Sequence, residues 1–199
     1  IKALVDHFNY RGVVGCGFPS VVRNGIIHTA ANIHKSCIGV NANEFFSFVT
    51  QCDVRVFNDA DAAGAGELEF GCVKGFRGLA VFLTIGTGIG SAIINHGVLL
   101  PNSELGHIYL ENGLKAEHYA SDAVRKNKDL SRSEWGERFN IVLQHIEKTF
   151  YPDLIVLGGG SSKKFHKFEE SITIETPVKP AELLNQAGMI GAAFLASQY

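Results

Sequence analysis

The sequence predicts an α/β protein built on a mixed sheet, and three observations predict it. Apolar runs of strand length alternate with segments of helical spacing, so strands and helices are interleaved along the chain. Some of the strands return directly through glycine turns, the signature of antiparallel neighbours, while others are separated by a helix. No solenoid-period repeat or low-complexity linker interrupts the pattern.

Each element has its own local reason. Ile1, Leu4, Val5 and Phe8 form the stripe of a short helix over 1–9, which leads through Arg11-Gly12 into the strand VVGCGFP, stopped by Pro19. GIIHT (25–29) reads as a second short strand and TAANIHKS (29–36) as a loop; NEFFSFVTQ (43–51) reads as a helix and VRVFN (54–58) as a strand. Alanines together with Glu67 and Glu69 favour a helix over 60–70 despite two internal glycines. LAVFLTI (79–85) is a buried strand, and SAIINHGVLL (91–100) a second one, with Asn95-His96-Gly97 as a turn or kink. A polar helix is expected over 115–128. Ser131 to Glu134 spells a capping box, followed at helical spacing by Trp135, Phe139, Val142, Leu143, Ile146 and Phe150. DLIVL (153–157) is a strand that ends in Gly158-Gly159-Gly160 and a short lysine-rich helix. The final AGMIGAAFLAS is an apolar helix of small residues that must pack closely against a neighbour.

Composition excludes several functions. The 199 residues are 46% hydrophobic and 19% charged, which is ordinary for a globular chain able to bury a real core. A net charge of −2 makes no electrostatic case for nucleic acid or an anionic membrane. Cys16, Cys37, Cys52 and Cys72 stand far apart without CxxC pairs, which fits free thiols in a reducing cytoplasm. Residues 78–95 carry no charge and are long enough to span a bilayer, but Gly86, Gly88 and Gly90 break them into a strand pair joined by a turn. A soluble chain without a membrane segment is expected. Because Ile1 is not a methionine and the first stripe begins abruptly, the sequence is expected to be part of a longer protein.

The motifs that carry chemistry lie at the strand ends. TIGTGIGSA (84–92) is no dinucleotide fingerprint, since another strand rather than a helix follows the turn. Such a glycine hairpin is either a tight structural turn or a place where backbone N–H groups, with the Thr84 and Thr87 hydroxyls, meet an anion. Gly158-Gly159-Gly160 closes a strand and opens a helix, a position suited either to close packing or to a phosphate. In PNSELGH (101–107), Glu104 and His107 share a side of a turn and can hold vicinal sugar hydroxyls, or form a plain solvated loop. A metal reading is poorer, because no cysteine follows Cys72 and no second histidine stands at ligand spacing from His107. Finally, FNDADAAG (57–64) puts Asp59 and Asp61 at the mouth of an apolar strand. One of them suffices to cap the helix; the other is placed to accept a proton from an alcohol attacking phosphorus.

Taken in order, VGCGFPSVV, TAANIHKSCIG, FNDADAAGAGE, LTIGTGIGSAIINHGVLLPNSELGHI, PDLIVLGGGSSKK and NQAGMIGAA resemble the ROK family of sugar kinases, most closely its polyphosphate glucokinase branch. The resemblance runs collinearly from about Gly12 to Ala196. It implies the two-lobed actin-like ATPase (ribonuclease H-like) fold with mixed sheets, residues 1–59 belonging to the small lobe and 60–199 to the second, with the helix over 187–199 returning to the first lobe. It implies transfer of a phosphoryl group from polyphosphate or ATP, with Mg2+, to the 6-hydroxyl of glucose. Asp59 would be the catalytic base; Asn32, Asn58, Glu104, His107 and Glu117 would hold the sugar. Thr84, Gly86, Thr87 and Gly88 would form a phosphate loop, with Gly158, Gly159 and Gly160 against the donor. Asp61 keeps the helix-cap role. The family also implies a cytoplasmic homodimer.

Two departures qualify the resemblance. Many ROK kinases carry a zinc site, with cysteines shortly after the Gly-His pair; IYLENGLKAEHYAS (108–121) has none, so no zinc is expected. The family's first phosphate loop, DxGGT, is also absent and would lie upstream of Ile1. The first lobe is therefore expected to be incomplete in this chain, as a fold and as a kinase. The rival readings are a sugar-sensing ROK protein that binds without turnover, and a dinucleotide oxidoreductase, which the strand-turn-strand context weakens.

Overall fold

The computed structural model describes residues 1–31 and 33–198. Helix α1 (Lys2–His7) precedes strand β1 (Val13–Phe18), the hairpin β2 (Val22–Arg23) and β3 (Ile26–Ile27), helix α2 (Ala42–Thr50) and strand β4 (Asp53–Asn58). Helix α3 (Asp59–Phe70) follows β4 without a break, then β5 (Leu79–Ile85), β6 (Ile89–Asn95) and β7 (Val98–Leu100). Helices α4 (Ala116–Ala120), α5 (Asp122–Asn127) and α6 (Arg132–Phe150) lead to β8 (Leu154–Gly158), β9 (Val178–Pro180) and α7 (Ala187–Ser197).

The principal sheet has the order β7-β6-β5-β8-β9, and it is mixed as expected: β5, β8 and β9 run parallel, while β6 and β7 return antiparallel. Strand alternation divides its side chains between two cores. Val81, Leu83, Ile85, Ile155 and Leu157 face α6, where Trp135, Phe139 and Leu143 are fully buried. Burial of each of those large side chains stabilises the layer by about 1.5–3 kcal/mol. Ala80, Phe82, Leu154 and Val156 face the opposite way, towards Ala63 of α3 and Ala187 of α7. A separate parallel pair, β1 with β4, carries a third core of Val5, Val22, Ile27, Val54 and Val56.

The small residues of α3 and α7 are explained by proximity. α7 lies along α3 and against β1. A Cβ on Gly66 would come 2.5 Å from the Ala187 carbonyl oxygen, so the glycine that costs helix propensity lets the two backbones touch. Glu67, fully buried on the same helix, accepts backbone N–H bonds from Cys72, Glu182 and Leu183 at 2.7–3.2 Å.

Several elements differ from the sequence expectation. The segment 91–100 is two strands rather than one, and the turn or kink expected at Asn95-His96-Gly97 is a hairpin turn, with His96 (φ 49) and Gly97 (φ 82) left-handed. The helix expected over 115–128 breaks at Ser121, which stands extended (ψ 161) and caps α5 by accepting from the Val124 N–H. The lysine-rich helix after Gly160 is a 3₁₀ segment, Ser162–Lys167. Strands β2 and β9 were not foreseen: each has two or three residues, too few for a periodic signal. Asn24-Gly25, both left-handed, was the available hairpin signal for β2. The four cysteines are free, and among the described residues no helix is long and apolar enough to cross a membrane.

Candidate active site

Two parallel pairs of strands, β1 with β4 and β5 with β8, point their carboxyl ends at one cavity of about 520 Å³. Pro19 and Ser20 follow β1, Asn58 and Asp59 end β4 and open α3, Gly86 and Thr87 follow β5, and Gly159 and Gly160 follow β8. Ligands of α/β sheets bind at such carboxyl ends, where backbone leaves the sheet and side chains are free to converge. The far wall is built by Ser103, Glu104, His107 and Glu117.

Asn58 fixes the start of α3. Its Oδ1 accepts from the backbone N–H of Ala60 (2.9 Å) and of Asp61 (3.0 Å), and its Nδ2 donates to the Ser20 carbonyl at 3.1 Å. The helix cap is therefore Asn58. The cap role expected of Asp61 is corrected: its Oδ2 accepts instead from the Asn102 N–H at 2.6 Å, 41 residues away. Asp59 is released from capping and lines the cavity, its Oδ1 accepting from the Ala60 N–H at 2.9 Å. The Asp59 side chain stays open to the cavity, yet partial desolvation by the cavity walls raises its carboxyl above the ordinary range, against the pull of the Ala60 N–H.

The opposite wall is a carboxylate-imidazole-carboxylate row. His107 stands 3.2 Å from Glu117 through Nε2 and 3.8 Å from Glu104 through Nδ1. Burial raises the Glu104 carboxyl; His107 draws it back, while the charges of Glu117 and Asp59 push it further up. Trp135 anchors α4, the helix of Glu117, by donating its indole N–H to the Ala120 carbonyl at 2.9 Å. Glu117 also explains Gly88, where a Cβ would lie 2.6 Å from its carboxylate.

The two glycine turns differ in detail. At Gly86 and Gly160 an added Cβ would meet nothing within 4 Å, so these glycines open onto free space rather than serving packing. The Gly86 N–H is bonded within the turn, to the Gly88 carbonyl at 3.1 Å, and is not free for an anion. Gly159 is left-handed (φ 77) and lies against the Ile85 backbone, whereas Gly158 packs on the Phe82 ring and lies outside the cavity. Thus the cavity gathers Asn58, Asp59, Thr84, Gly86, Thr87, Gly88, Glu104, His107, Glu117, Gly159 and Gly160. Asn32 lies outside the described residues. Ser20, Thr29, Ser91 and Ser103 also line the cavity without having been foreseen; Ser20, just past a strand end, was the one with a positional signal. Among the described residues no three His, Cys, Asp or Glu side chains are grouped to hold a metal ion.

The ROK family profile matches residues 1–124. The chain belongs to the ROK family. This ROK chain is 43% identical over 194 residues to the polyphosphate glucokinase of Mycobacterium tuberculosis, covering 97% of this chain and 73% of that protein. The crystal structure of inorganic polyphosphate/ATP-glucomannokinase from Arthrobacter sp. strain KM superposes with a TM-score of 0.91 at 38% identity, over 94% of this chain and 73% of the other. A ROK family glucokinase from Streptomyces griseus, in complex with glucose and AMPPNP, shares the fold at a TM-score of 0.79 and 22% identity, over 100% of this chain and 88% of that one. The fold of this ROK chain is the actin-like ATPase fold of these kinases.

Proposed function

We propose that this protein is a glucokinase that moves a phosphoryl group from polyphosphate or ATP to the 6-hydroxyl of glucose. The observation that carries the reading is one carboxyl, Asp59, that lines the same cavity as a sugar-binding row and two glycine turns and stays open to it. Identity of 43% to a polyphosphate glucokinase and structural likeness to a polyphosphate/ATP glucomannokinase support the choice of substrates.

In this reading Asp59 accepts the proton of the 6-hydroxyl as its oxygen attacks phosphorus, and its raised basicity suits that task. Glu104 and Glu117 accept hydrogen bonds from sugar hydroxyls, and His107, held by Glu117, fixes the hydroxyl between them. Asn58 spends Oδ1 on the helix and one N–H on Ser20, which leaves one amide hydrogen for the sugar. The turn at 86–88 and Gly159-Gly160 face the donor, Gly86 and Gly160 supplying room. Phosphoryl transfer depends on positioning and on neutralising the donor charge. A divalent cation, Mg2+ in this reading, neutralises that charge when bound. Such an ion would need few protein ligands; the Thr84 and Thr87 hydroxyls are among the neutral hard oxygens with which the cavity would hold it.

The reading also divides the chain into residues 1–59 and 60–199, with α7 packed back on β1 in support. It places the protein in the cytoplasm as a homodimer; free thiols support the compartment, and kinship with the family supports the assembly.

The test is formation of glucose 6-phosphate with polyphosphate and ATP offered separately, beside an Asp59→Asn variant. Loss of a positioned base lowers turnover by about 10²–10⁴-fold while glucose still binds. Glucose binding with neither donor consumed would sink the reading and favour a sugar sensor.

A further inference from the structure

Asp61 is buried at 3% exposure, yet it neither caps its helix nor lines the cavity. Among the described residues its Oδ1 meets no hydrogen-bond partner. A carboxyl placed this way costs stability rather than adding it, so its position is explained by what the other oxygen holds. That oxygen takes the backbone N–H of Asn102 at 2.6 Å.

Asn102 is a junction. It stands left-handed (φ 62), in the turn between β7 and the 3₁₀ segment that starts beside Glu104. From there its side chain clamps Val22 of the β2–β3 hairpin at both backbone groups: Oδ1 accepts from the Val22 N–H (2.9 Å), and Nδ2 donates to the Val22 carbonyl (3.0 Å). Two residues on, Glu104 enters the sugar row. Two residues before Val22, Ser20 lines the cavity and accepts from Asn58. The hairpin wall and the Glu104 wall therefore meet at one point, seated on Asp61 of α3, two residues from Asp59.

We propose that Asp61 is a positioning residue for sugar binding: through Asn102 it sets the Glu104 loop and the β2–β3 hairpin at one fixed separation across the mouth of the cavity. The inference rests on the glucokinase reading and adds to it a residue that touches no substrate. Asp61→Asn keeps an oxygen for the Asn102 N–H and keeps the shape. Asp61→Ala removes the seat, and Asn102→Ala keeps the seat but opens the clamp on Val22.

The experiment is glucose binding by titration calorimetry without donor, whose stoichiometry reports the folded fraction, together with steady-state kinetics. Asp61→Ala and Asn102→Ala each weaken glucose binding about tenfold, the worth of one lost hydrogen bond, and raise KM with kcat changed less than about threefold. The double variant is no weaker than the worse single one, because each interrupts the same path from α3 through Asn102 to the hairpin. Asp61→Asn restores binding to within about threefold. Unchanged binding in the folded fraction of both alanine variants, strict additivity in the double variant, or Asp61→Asn as weak as Asp61→Ala would each overturn the inference and leave the glucokinase reading standing. A wild-type protein that binds no glucose would overturn both.

Discussion

Replacing Gly191 by alanine tests whether the contact between α7 and α3 is as close as the packing indicates. A Cβ there would fall on the Ala62 carbonyl oxygen and come 2.5 Å from the Gly66 nitrogen and 2.8 Å from the Ala62 carbonyl carbon. Ordinary contact begins near ~3.5 Å, so the helices must part by roughly 1 Å. The obstacles are backbone atoms, which cannot swing away as a side chain can. Overpacking of this kind costs about 1–3 kcal/mol, against which alanine's better helix propensity returns up to about 1 kcal/mol. Gly188 supplies the internal control: it lies on the same helix, and a Cβ there meets nothing within 4 Å. Backbone obstacles put the cost at the upper end, a net of about 2 kcal/mol, so Gly191→Ala is expected to lower Tm by about 4–8 °C, at about 2–4 °C per kcal/mol for a chain of this size, while Gly188→Ala holds or raises it slightly. Differential scanning calorimetry of the two variants decides the matter. Because α3 begins at Asp59, turnover falls with Tm in the first variant alone. Equal melting of the two variants would refute the close approach and with it the account of why α3 and α7 are built from small residues.

Two further outcomes are expected. Asn58→Ala removes the α3 cap and the bond to Ser20, costing about 1–2 kcal/mol in urea unfolding and weakening glucose binding besides; a change in stability without one in binding would separate the cap from the site. For Asp61, burial raises the carboxyl from its ordinary 3.8 to about 7, with the charges of Glu104 and Asp59 adding to the rise and the Asn102 N–H opposing it. A raised folded-state value means that the stability linked to its proton is fully present near pH 4 and is lost as pH climbs through about 7. Wild type should thus lose up to roughly 4 kcal/mol relative to Asp61→Asn between those limits, and parallel stability-pH curves would contradict it.

Much of this molecule was legible locally. The capping box at Ser131 and Glu134 forms as its spacing requires, because both of its hydrogen bonds close within one helical turn. Strand β5 runs over 79–85, where an uncharged apolar run is bounded by glycines. Asp59 could be singled out because it stands at a strand end beside a second carboxylate that capping did not need. Which residue did the capping was not legible: Asn58, Asp59 and Asp61 all offer a side-chain oxygen, and the choice fell to the backbone path leaving β4. The break at Ser121 was likewise invisible, since 115–128 has helical composition throughout and the bend is set by where α4 and α5 must pack.

What the sequence determined by itself was therefore the elements and the chemistry available at their ends: apolar strands, a long amphipathic helix, glycine turns, and acids at a strand mouth. These depend on interactions within a few residues. The tertiary structure alone decided that the carboxyl ends of β1, β4, β5 and β8 share one cavity, that Glu117 crosses from another helix to meet His107 at 3.2 Å, and that Asp61 reaches Asn102 rather than its own helix end. Those contacts join residues from 10 to 41 positions apart or more, and they exist only once the sheet order has brought the segments together; no local propensity encodes a distance across the fold.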